Sequence, residues 1–185
     1  MAKTESSMRE LGTVAPSFEL PEPLTGDSHS LDSLAGSKAT VVMFICNHCP
    51  FVKHLLDGLA AFGRDYHRPE VGIVAISSND VTGYPQDRPE RMAELAEQMK
   101  FDFPYLYDRT QDVARAFDAT CTPDFFVFNG DRKLVYRGQF DDSRPGNDRP
   151  ITGSDLCAAV NALLAGQSVN PEQKPSVGCN IKWAD

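Results

Sequence analysis

The sequence contains neither a long hydrophobic run nor a concentration of positive charge. No window of the 185 residues approaches the roughly 20 apolar residues that a membrane-spanning helix needs. Lysine and arginine never cluster beyond a neighbouring pair, and the formal net charge is -8, so the electrostatic footprint of a nucleic-acid-binding protein is missing. We therefore expect no membrane and no nucleic acid among the partners.

The first ten residues also lack the apolar core of a secretion signal, and they include two glutamates, Glu5 and Glu10. An odd set of five cysteines in a chain without such a signal disfavours a framework of structural disulfides. We therefore expect a cytoplasmic protein whose thiols are reduced, metal-bound or redox-active. These cysteines are Cys46, Cys49, Cys121, Cys157 and Cys179.

The chain length and its 41% hydrophobic content are sufficient for one well-packed core. We predict a single domain over 1–185, with an N-terminal extension at 1–38 that is mostly irregular and a C-terminal tail at 166–185. Between them, sequence patterns that are typical of buried strands and amphipathic helices alternate along the chain. This alternation predicts the α/β class.

The individual patterns place strands and helices with approximate bounds. Continuous apolar runs predict buried strands at 40–45 and 71–77, and an Asn-Gly turn predicts a β-hairpin over 124–137. Apolar spacings of three and four, together with helix-start signals, predict helices at 47–66, 89–100, 108–117 and 154–164. The order indicates a mixed central sheet, parallel at first and then antiparallel, flanked by helices.

The stretch F-I-C-N-H-C-P-F contains two cysteines in C-x-x-C spacing where the first buried strand turns into a helix. A thiol attacks as its thiolate, and the positive end of a helix lowers the pKa of a cysteine placed there. We therefore expect Cys46 to attack a substrate disulfide and Cys49, deeper and protonated, to resolve the mixed disulfide.

His48 lies between the two cysteines. A cation or hydrogen-bond donor at this position would stabilise the Cys46 thiolate, favour the reduced form and make the couple more oxidising. Taken alone, a single histidine is more often an ordinary surface residue. Its place inside the C-x-x-C spacing makes His48 a candidate catalytic residue.

Zinc binding is an alternative use of the motif, because C-x-x-C forms half of many zinc sites. A second Cys/His pair at ligand spacing is missing from the sequence, although Cys121 or His54 could converge on the motif. We therefore expect no metal and no cofactor. A zinc-binding or redox-sensing module without turnover stays open as a rival function.

The stretch T-C-T-P-D, which covers 120–124, enters the predicted hairpin through a proline. Proline at the start of a central strand is unusual unless its peptide bond is cis or its missing N–H faces a site. In this fold order the loop faces the helix that follows Cys46. Thr122, Pro123 and Cys121 are therefore candidate substrate-binding residues, and the Cys121 side chain is either a third thiol at the same surface or a small packing residue.

Together these segments resemble the thioredoxin superfamily, and more closely its peroxiredoxin-like branch (redoxin, AhpC/TSA-related) that carries a C-x-x-C. The resemblance runs from about residue 11 to residue 183 and depends on segments 46–54, 77–80, 121–126, 141–146 and 178–183. It implies a thioredoxin fold with an N-terminal extension and a redox pair at Cys46 and Cys49. It also implies a cis Thr122-Pro123 bond that shapes a substrate-docking groove.

The sequence departs from the relatives at two functional positions. Thioredoxins have a buried aspartate six residues before the first cysteine, where this chain has Thr40. Peroxiredoxins have a threonine three residues before the peroxidatic cysteine and an arginine on a distant strand. If Cys49 stands at the peroxidatic position, Cys46 replaces that threonine, and the region that would carry the arginine reads C-T-P at 121–123. Without a fixed donor, stabilisation of the transition state for peroxide cleavage is weaker.

These observations favour a thiol–disulfide oxidoreductase that uses the Cys46/Cys49 couple. Its expected substrates are protein or small-molecule disulfides, with thioredoxin or glutathione as the recycling partner. A peroxiredoxin-like thiol peroxidase with an antioxidant role is the alternative enzyme.

Overall fold

The computed structural model describes residues 3–185, in which strands and helices alternate as an α/β protein. The helices are α1 (Leu31–Leu34), α2 (Pro50–Tyr66), α3 (Pro89–Met99), α4 (Asp112–Ala116) and α5 (Ser154–Leu164), and a 3-10 helix covers Pro85–Asp87. The strands are β1 (Lys3–Glu5), β2 (Glu19–Pro21), β3 (Ser28–Ser30), β4 (Ala39–Phe44), β5 (Val71–Ser77), β6 (Tyr105–Tyr107), β7 (Cys121–Thr122), β8 (Asp124–Asn129), β9 (Leu134–Gly138) and β10 (Val177–Asn180).

The central sheet has five strands in the order β6-β5-β4-β8-β9. Strands β4, β5 and β6 are parallel, whereas β8 and β9 form an antiparallel hairpin beside β4. The predicted mixed sheet and its hairpin are confirmed. Strand β6 was not predicted, because its three residues are too few to show a strand pattern in the sequence.

Both faces of β4 are buried, as its continuous apolar run predicted. Val41 and Met43 pack with residues of α2 and α5 on one face, while Val42 and Phe44 pack with α4 and the N-terminal segment on the other. Side chains alternate across a strand, so a strand covered on both faces is apolar at every position. The end of β4 is thereby fixed deep inside the molecule.

Helix α2 begins at Pro50, three residues later than the sequence pattern indicated. Cys49 is its N-cap residue and Pro50 occupies the first helical position, where a missing N–H costs little. The segment between Phe44 and Cys49 is therefore a loop. Helix α4 likewise begins at Asp112 rather than at 108, because Asp108 accepts the backbone N–H of Ala114 from a preceding turn.

The two terminal segments are more ordered than the sequence predicted. Residues of the N-terminal extension form β1, β2, β3 and α1, and the C-terminal tail contains β10. Strand β10 lies between β1 and β7 in a second, three-stranded antiparallel sheet. Within residues 3–185, no helix combines the length and apolar character needed to cross a bilayer.

A buried ion pair joins the two strands of the hairpin. The Arg137 guanidinium donates to Asp124 at 3.0 Å and to the carbonyl of Asp118 at 2.8 Å, and it lies over the ring of Phe126. Both charged side chains are fully buried. Burial raises the pKa of Asp124 to about 6, so the carboxylate is still ionised at neutral pH and balances the guanidinium charge.

The substitution Asp124→Asn tests this ion pair. It leaves the Arg137 charge buried without its counter-ion, so we expect the free energy of unfolding in urea to fall by about 3–5 kcal/mol. Glu94→Gln is the matched control because it breaks an exposed pair with Arg91 and should change stability by less than about 1 kcal/mol. Equal effects of the two variants would show that Asp124 does not hold the buried charge.

Candidate active site

The register of the central sheet brings the C-x-x-C loop to the proline loop. Phe44 of β4 pairs with Asp124 of β8, and the two chains run antiparallel, so Cys46 continues toward Thr122. The Cys46 sulfur lies 3.3 Å from the Thr122 hydroxyl oxygen. The Thr122-Pro123 bond is cis, as the resemblance implied.

A third cysteine reaches the same place from the C-terminal tail. Cys179 of β10 pairs with Thr122 of β7, and its sulfur lies 2.8 Å from the sulfur of Cys49. Cys46, Cys49 and Cys179 are free thiols. We call these three side chains the sulfur cluster.

Cys49 is the acidic thiol of the sulfur cluster. A hydrogen bond from Cys46 is the largest cause that lowers its pKa to about 5, and the Cys179 thiol and the Val52 backbone N–H contribute further. Burial opposes this shift, as does the Thr122 carbonyl oxygen, to which a protonated Cys49 donates at 3.2 Å. The net shift is downward, which favours the thiolate form of Cys49.

Cys46 and Cys179 are protonated thiols. The hydrogen bond to Cys49 and burial raise the pKa of Cys46 well above its ordinary value, and the nearby charge of Asp87 raises it further. Burial raises the pKa of Cys179 to about 12. The acidity expected at Cys46 is therefore found at Cys49, because Cys49, and not Cys46, caps the helix and receives the donors.

The Asp87 carboxylate accepts hydrogen bonds from the N–H groups of the C-x-x-C loop. It accepts the backbone N–H groups of Asn47 and His48 at 2.7 and 3.1 Å, and His48 Nδ1 lies 2.5 Å from its other oxygen. The Asn79 amide completes the set at 2.9 Å. The loop N–H groups therefore stabilise the charge of Asp87 instead of a Cys46 thiolate.

His48 is placed at the site, but its charge would be balanced by Asp87. With the proton on Nδ1 the ring donates to Asp87, which leaves Nε2 buried and without a partner among the described residues. Tyr84 stacks on the ring with centroids 4.9 Å apart, and the Lys182 ammonium lies 5.5 Å from the Tyr84 ring centre. Tyr84 thus covers one face of the His48 ring, and Lys182 lies near the Tyr84 ring.

The sulfur cluster is closed to large molecules in this conformation. Cys46 is 1% exposed, Cys49 is 0% exposed and Cys179 is 3% exposed. Strand β10 is also paired with the backbone of Thr122, the edge expected to receive an extended substrate. A small oxidant therefore needs less rearrangement to reach Cys49 than a folded protein does.

The remaining cysteines lie outside the sulfur cluster. The Cys121 thiol is buried and lies 3.6 Å from the carbonyl oxygen of Pro123, and burial raises its pKa. This position beside the proline loop favours the packing role over the third-thiol role. Cys157 lies on α5, where it is partly buried near Tyr66 and where burial raises its pKa.

One group of side chains offers metal donors. Atoms of Cys46, His48 and Asp87 lie within 4.8 Å of one another. Asp87 is already committed to four hydrogen bonds, one of them from His48, so the group falls short of the four free ligands of a structural zinc site. The donor set supports thiol chemistry better than zinc binding.

The sequence did not point to Asp87, and it left the position of Cys179 in the tail open. Asp87 lies in an unremarkable D-R-P segment, and only the 3-10 helix before α3 carries it under the loop. Cys179 was visible as part of the closing G-C-N-I-K-W segment, but its position depends on pairing with β1 and β7. Sequence spacing could suggest the tail as a candidate without showing where it lies.

Comparison with protein families gives one match. The model of the AhpC/TSA family matches residues 11–137. Among curated proteins, none matched the sequence.

Solved structures give closer similarity over the whole chain. An uncharacterised conserved protein from Geobacillus kaustophilus is 52% identical, with a TM-score of 0.97 over 100% of this chain and 97% of that one. The peroxidoxin BcpB from Mycobacterium tuberculosis is 22% identical, with a TM-score of 0.63 over 87% and 100% of the two chains. The thioredoxin domain of a thiol-disulfide oxidoreductase from Bacteroides vulgatus is 20% identical, with a TM-score of 0.62 over 83% and 100%. The last two establish a shared thioredoxin-like fold.

The assignment of the thiolate to Cys49 predicts a pH titration. Thiolate absorbance of the reduced protein should appear as the pH rises through about 5, because the lowered pKa leaves Cys49 ionised above that value and protonated below it. Cys49→Ala should remove this step. Cys46→Ala deletes the main donor, so it should raise the midpoint by about one unit or more.

Cys157→Ala is the control for this titration, since that thiol lies outside the sulfur cluster, and it should leave the low-pH step unchanged. A step near pH 5 that survives Cys49→Ala would place the acidity on another thiol.

Proposed function

The chain belongs to the AhpC/TSA family, and on that premise we propose that it is a thiol–disulfide oxidoreductase whose redox centre is the Cys46/Cys49 couple. The observation that carries the proposal is that both sulfurs contact the same residue of the proline loop: the Cys46 sulfur lies 3.3 Å from the Thr122 hydroxyl oxygen, and the Cys49 sulfur lies 3.2 Å from the Thr122 carbonyl oxygen. Two free thiols held at one loop in this way can act as a pair in which one attacks and the other resolves. The similarity to structures of oxidoreductases supports the same class.

The acidity of Cys49 reverses the order of attack that the sequence suggested. The Cys49 thiolate attacks one sulfur of a substrate disulfide, and the other substrate sulfur leaves as a thiolate. Cys46 then loses its proton and attacks the Cys49 sulfur of the mixed disulfide. The second substrate thiol leaves, and the Cys46–Cys49 disulfide holds the oxidation.

Burial of the sulfur cluster favours small disulfides as substrates. Thr122 is already paired with Cys179 in β10, so an extended peptide that docks on its backbone must displace the C-terminal strand. A disulfide of the size of glutathione disulfide needs a smaller opening, because it does not have to pair with the Thr122 backbone. Thioredoxin or glutathione as reductant and a cytoplasmic location remain part of this proposal.

Peroxide reduction is the second candidate, and the position of Cys46 favours it. Cys46 stands three residues before Cys49, where peroxiredoxins have a threonine, and hydrogen bonding with Cys46 lowers the pKa of Cys49. Attack of Cys49 on hydrogen peroxide would give a sulfenic acid and release water or hydroxide. Condensation with the Cys46 thiol would then form the same disulfide and release a second water.

Rapid-quench oxidation of the reduced protein tests both candidates. We expect glutathione disulfide to give the Cys46–Cys49 disulfide in the wild type, because Cys49 attacks and Cys46 resolves. Cys49→Ala should lose the reaction, while Cys46→Ser should keep the first attack because a hydroxyl still donates to the Cys49 thiolate. Mass spectrometry of the quenched peptides measures each product.

Three results would change this assignment. Loss of attack in Cys46→Ser with attack retained in Cys49→Ala would restore Cys46 as the attacking thiol. A rate constant for hydrogen peroxide far above that for glutathione disulfide would assign the protein as a peroxidase. A bound stoichiometric metal and no reaction with either oxidant would support the zinc-binding alternative.

The pairing of His48 with Asp87 predicts opposite shifts of the reduction potential. In His48→Ala the Asp87 charge faces the thiols without its partner, so the thiolate is disfavoured and the couple becomes more reducing. Asp87→Asn removes the charge that raises the pKa of Cys46, so the couple becomes more oxidising. Each shift should be about 30 mV or more, a tenfold change in the equilibrium constant, measured against glutathione redox buffers.

Glu94→Gln is the matched control for this experiment, because it also removes one negative charge but at an exposed position of α3, and it should leave the potential unchanged. Shifts of the same sign in His48→Ala and Asp87→Asn would show that the two side chains act through loop structure rather than through charge.

A further inference from the structure

Cys179 is fixed against the redox couple by strand pairing on both sides. It pairs with Lys3 of β1 and with Thr122 of β7, in the middle of the three-stranded sheet. Its sulfur lies 2.8 Å from that of Cys49, a residue 130 positions away in the sequence. This separation exceeds the roughly 2.05 Å of a disulfide bond, so the two sulfurs are in contact without being bonded.

We propose that Cys179 is a third redox-active thiol that attacks the Cys49 sulfur, so that the disulfide can move from Cys46–Cys49 to Cys49–Cys179. This proposal depends on the proposed Cys46/Cys49 couple.

The close approach of β10 requires a glycine beside Cys179. A Cβ atom on Gly178 would lie 1.9 Å from the carbonyl oxygen of Thr122. That oxygen belongs to the backbone, so a side-chain rotation cannot relieve the clash. The hydroxyl of Ser176 also donates to the carbonyl oxygen of Pro123 at 2.6 Å. The strand is thus pressed onto the proline loop, and Cys179 is carried to Cys49 by the backbone.

Further contacts fix the chain beyond Cys179. The backbone N–H of Ile181 donates to the Thr120 carbonyl at 3.1 Å, and that of Lys182 donates to the Asn79 side chain at 2.9 Å. Asn79 in turn donates to Asp87 beneath the C-x-x-C loop. The tail is therefore anchored on both sides of Cys179, so the sulfur contact does not depend on a free chain end.

The exchange step conserves atoms, electrons and protons within the protein. Cys179 loses its proton and attacks the Cys49 sulfur of the Cys46–Cys49 disulfide, forming a bond from Cys49 to Cys179. The bond from Cys46 to Cys49 breaks, its electron pair stays on Cys46, and Cys46 takes up the proton. One disulfide and one thiol are present before and after, so the step needs no additional oxidant.

The same thiol can also act on a mixed disulfide. When Cys49 carries a glutathionyl group, attack by Cys179 forms Cys49–Cys179 and releases glutathione, which takes the proton. This reaction separates the proposed role from that of a passive hydrogen-bond donor. A donor alone would tune the acidity of Cys49 but would never become cross-linked to it.

The decisive experiment uses Cys46→Ser, which lacks the other resolving thiol. One equivalent of glutathione disulfide is added to the reduced protein, and the quenched products are mapped by peptide mass spectrometry. We expect the Cys49–Cys179 disulfide as the final product. In Cys46→Ser/Cys179→Ser the glutathionyl group on Cys49 should persist at least about tenfold longer, because the adjacent thiol is gone.

Two further variants provide controls. Cys46→Ser/Cys157→Ser removes a cysteine of α5 instead, and it should form the Cys49–Cys179 disulfide as readily as Cys46→Ser. Gly178→Ala keeps all three cluster cysteines but forces β10 away from Thr122. It should lower the yield of Cys49–Cys179 relative to that of Cys46–Cys49.

The outcomes separate this inference from the proposed function. If Cys46→Ser retains glutathione on Cys49 for as long as the double variant with Cys179→Ser, Cys179 does not exchange and the inference is wrong, although attack by Cys49 stands. If the wild type forms neither a Cys49 adduct nor the Cys46–Cys49 disulfide, the proposed function itself fails. Circular dichroism of each variant confirms that the comparison is made between folded proteins.

Discussion

The pairing of β10 with β7 is the constraint on which the arrangement of the site depends. It places Cys179 against Thr122, whose carbonyl and hydroxyl oxygens contact Cys49 and Cys46 respectively. Backbone pairing is insensitive to most side chains, but here it tolerates only glycine at position 178. A C-terminal segment, usually the least ordered part of a domain, thereby forms one wall of the sulfur cluster.

Electrostatics within the loop explains why acidity and sequence order disagree. A thiolate at Cys46 would compete with Asp87 for the N–H groups of Asn47 and His48, and the buried carboxylate already holds them. Cys49 avoids this competition because it sits at the N-cap of α2 and receives thiol donors instead. The loop thus disfavours charge on one sulfur and the helix end favours it on the other.

The sequence predicted those parts of the molecule that have local causes. The β4 run, the start of α5 and the Asn-Gly hairpin follow from apolar pattern and turn chemistry, and the structure has all three. Strands β1 and β10 of the terminal segments have no local signature, because each pairs only with strands distant in the sequence. The site shows the same contrast between local and long-range causes. The C-x-x-C spacing identified two of its sulfurs, whereas Asp87 and Cys179 are brought to it by contacts between segments distant in the sequence.

The burial of the sulfur cluster has a kinetic consequence. A disulfide buried in this way meets the surrounding thiol pool only when the structure around it opens, so the frequency of opening limits the rate of equilibration. Once opening limits the rate, adding more external reductant no longer speeds exchange. Oxidised and reduced molecules would then coexist as slowly mixing populations, and the protein would retain a record of past oxidation after the oxidant had gone.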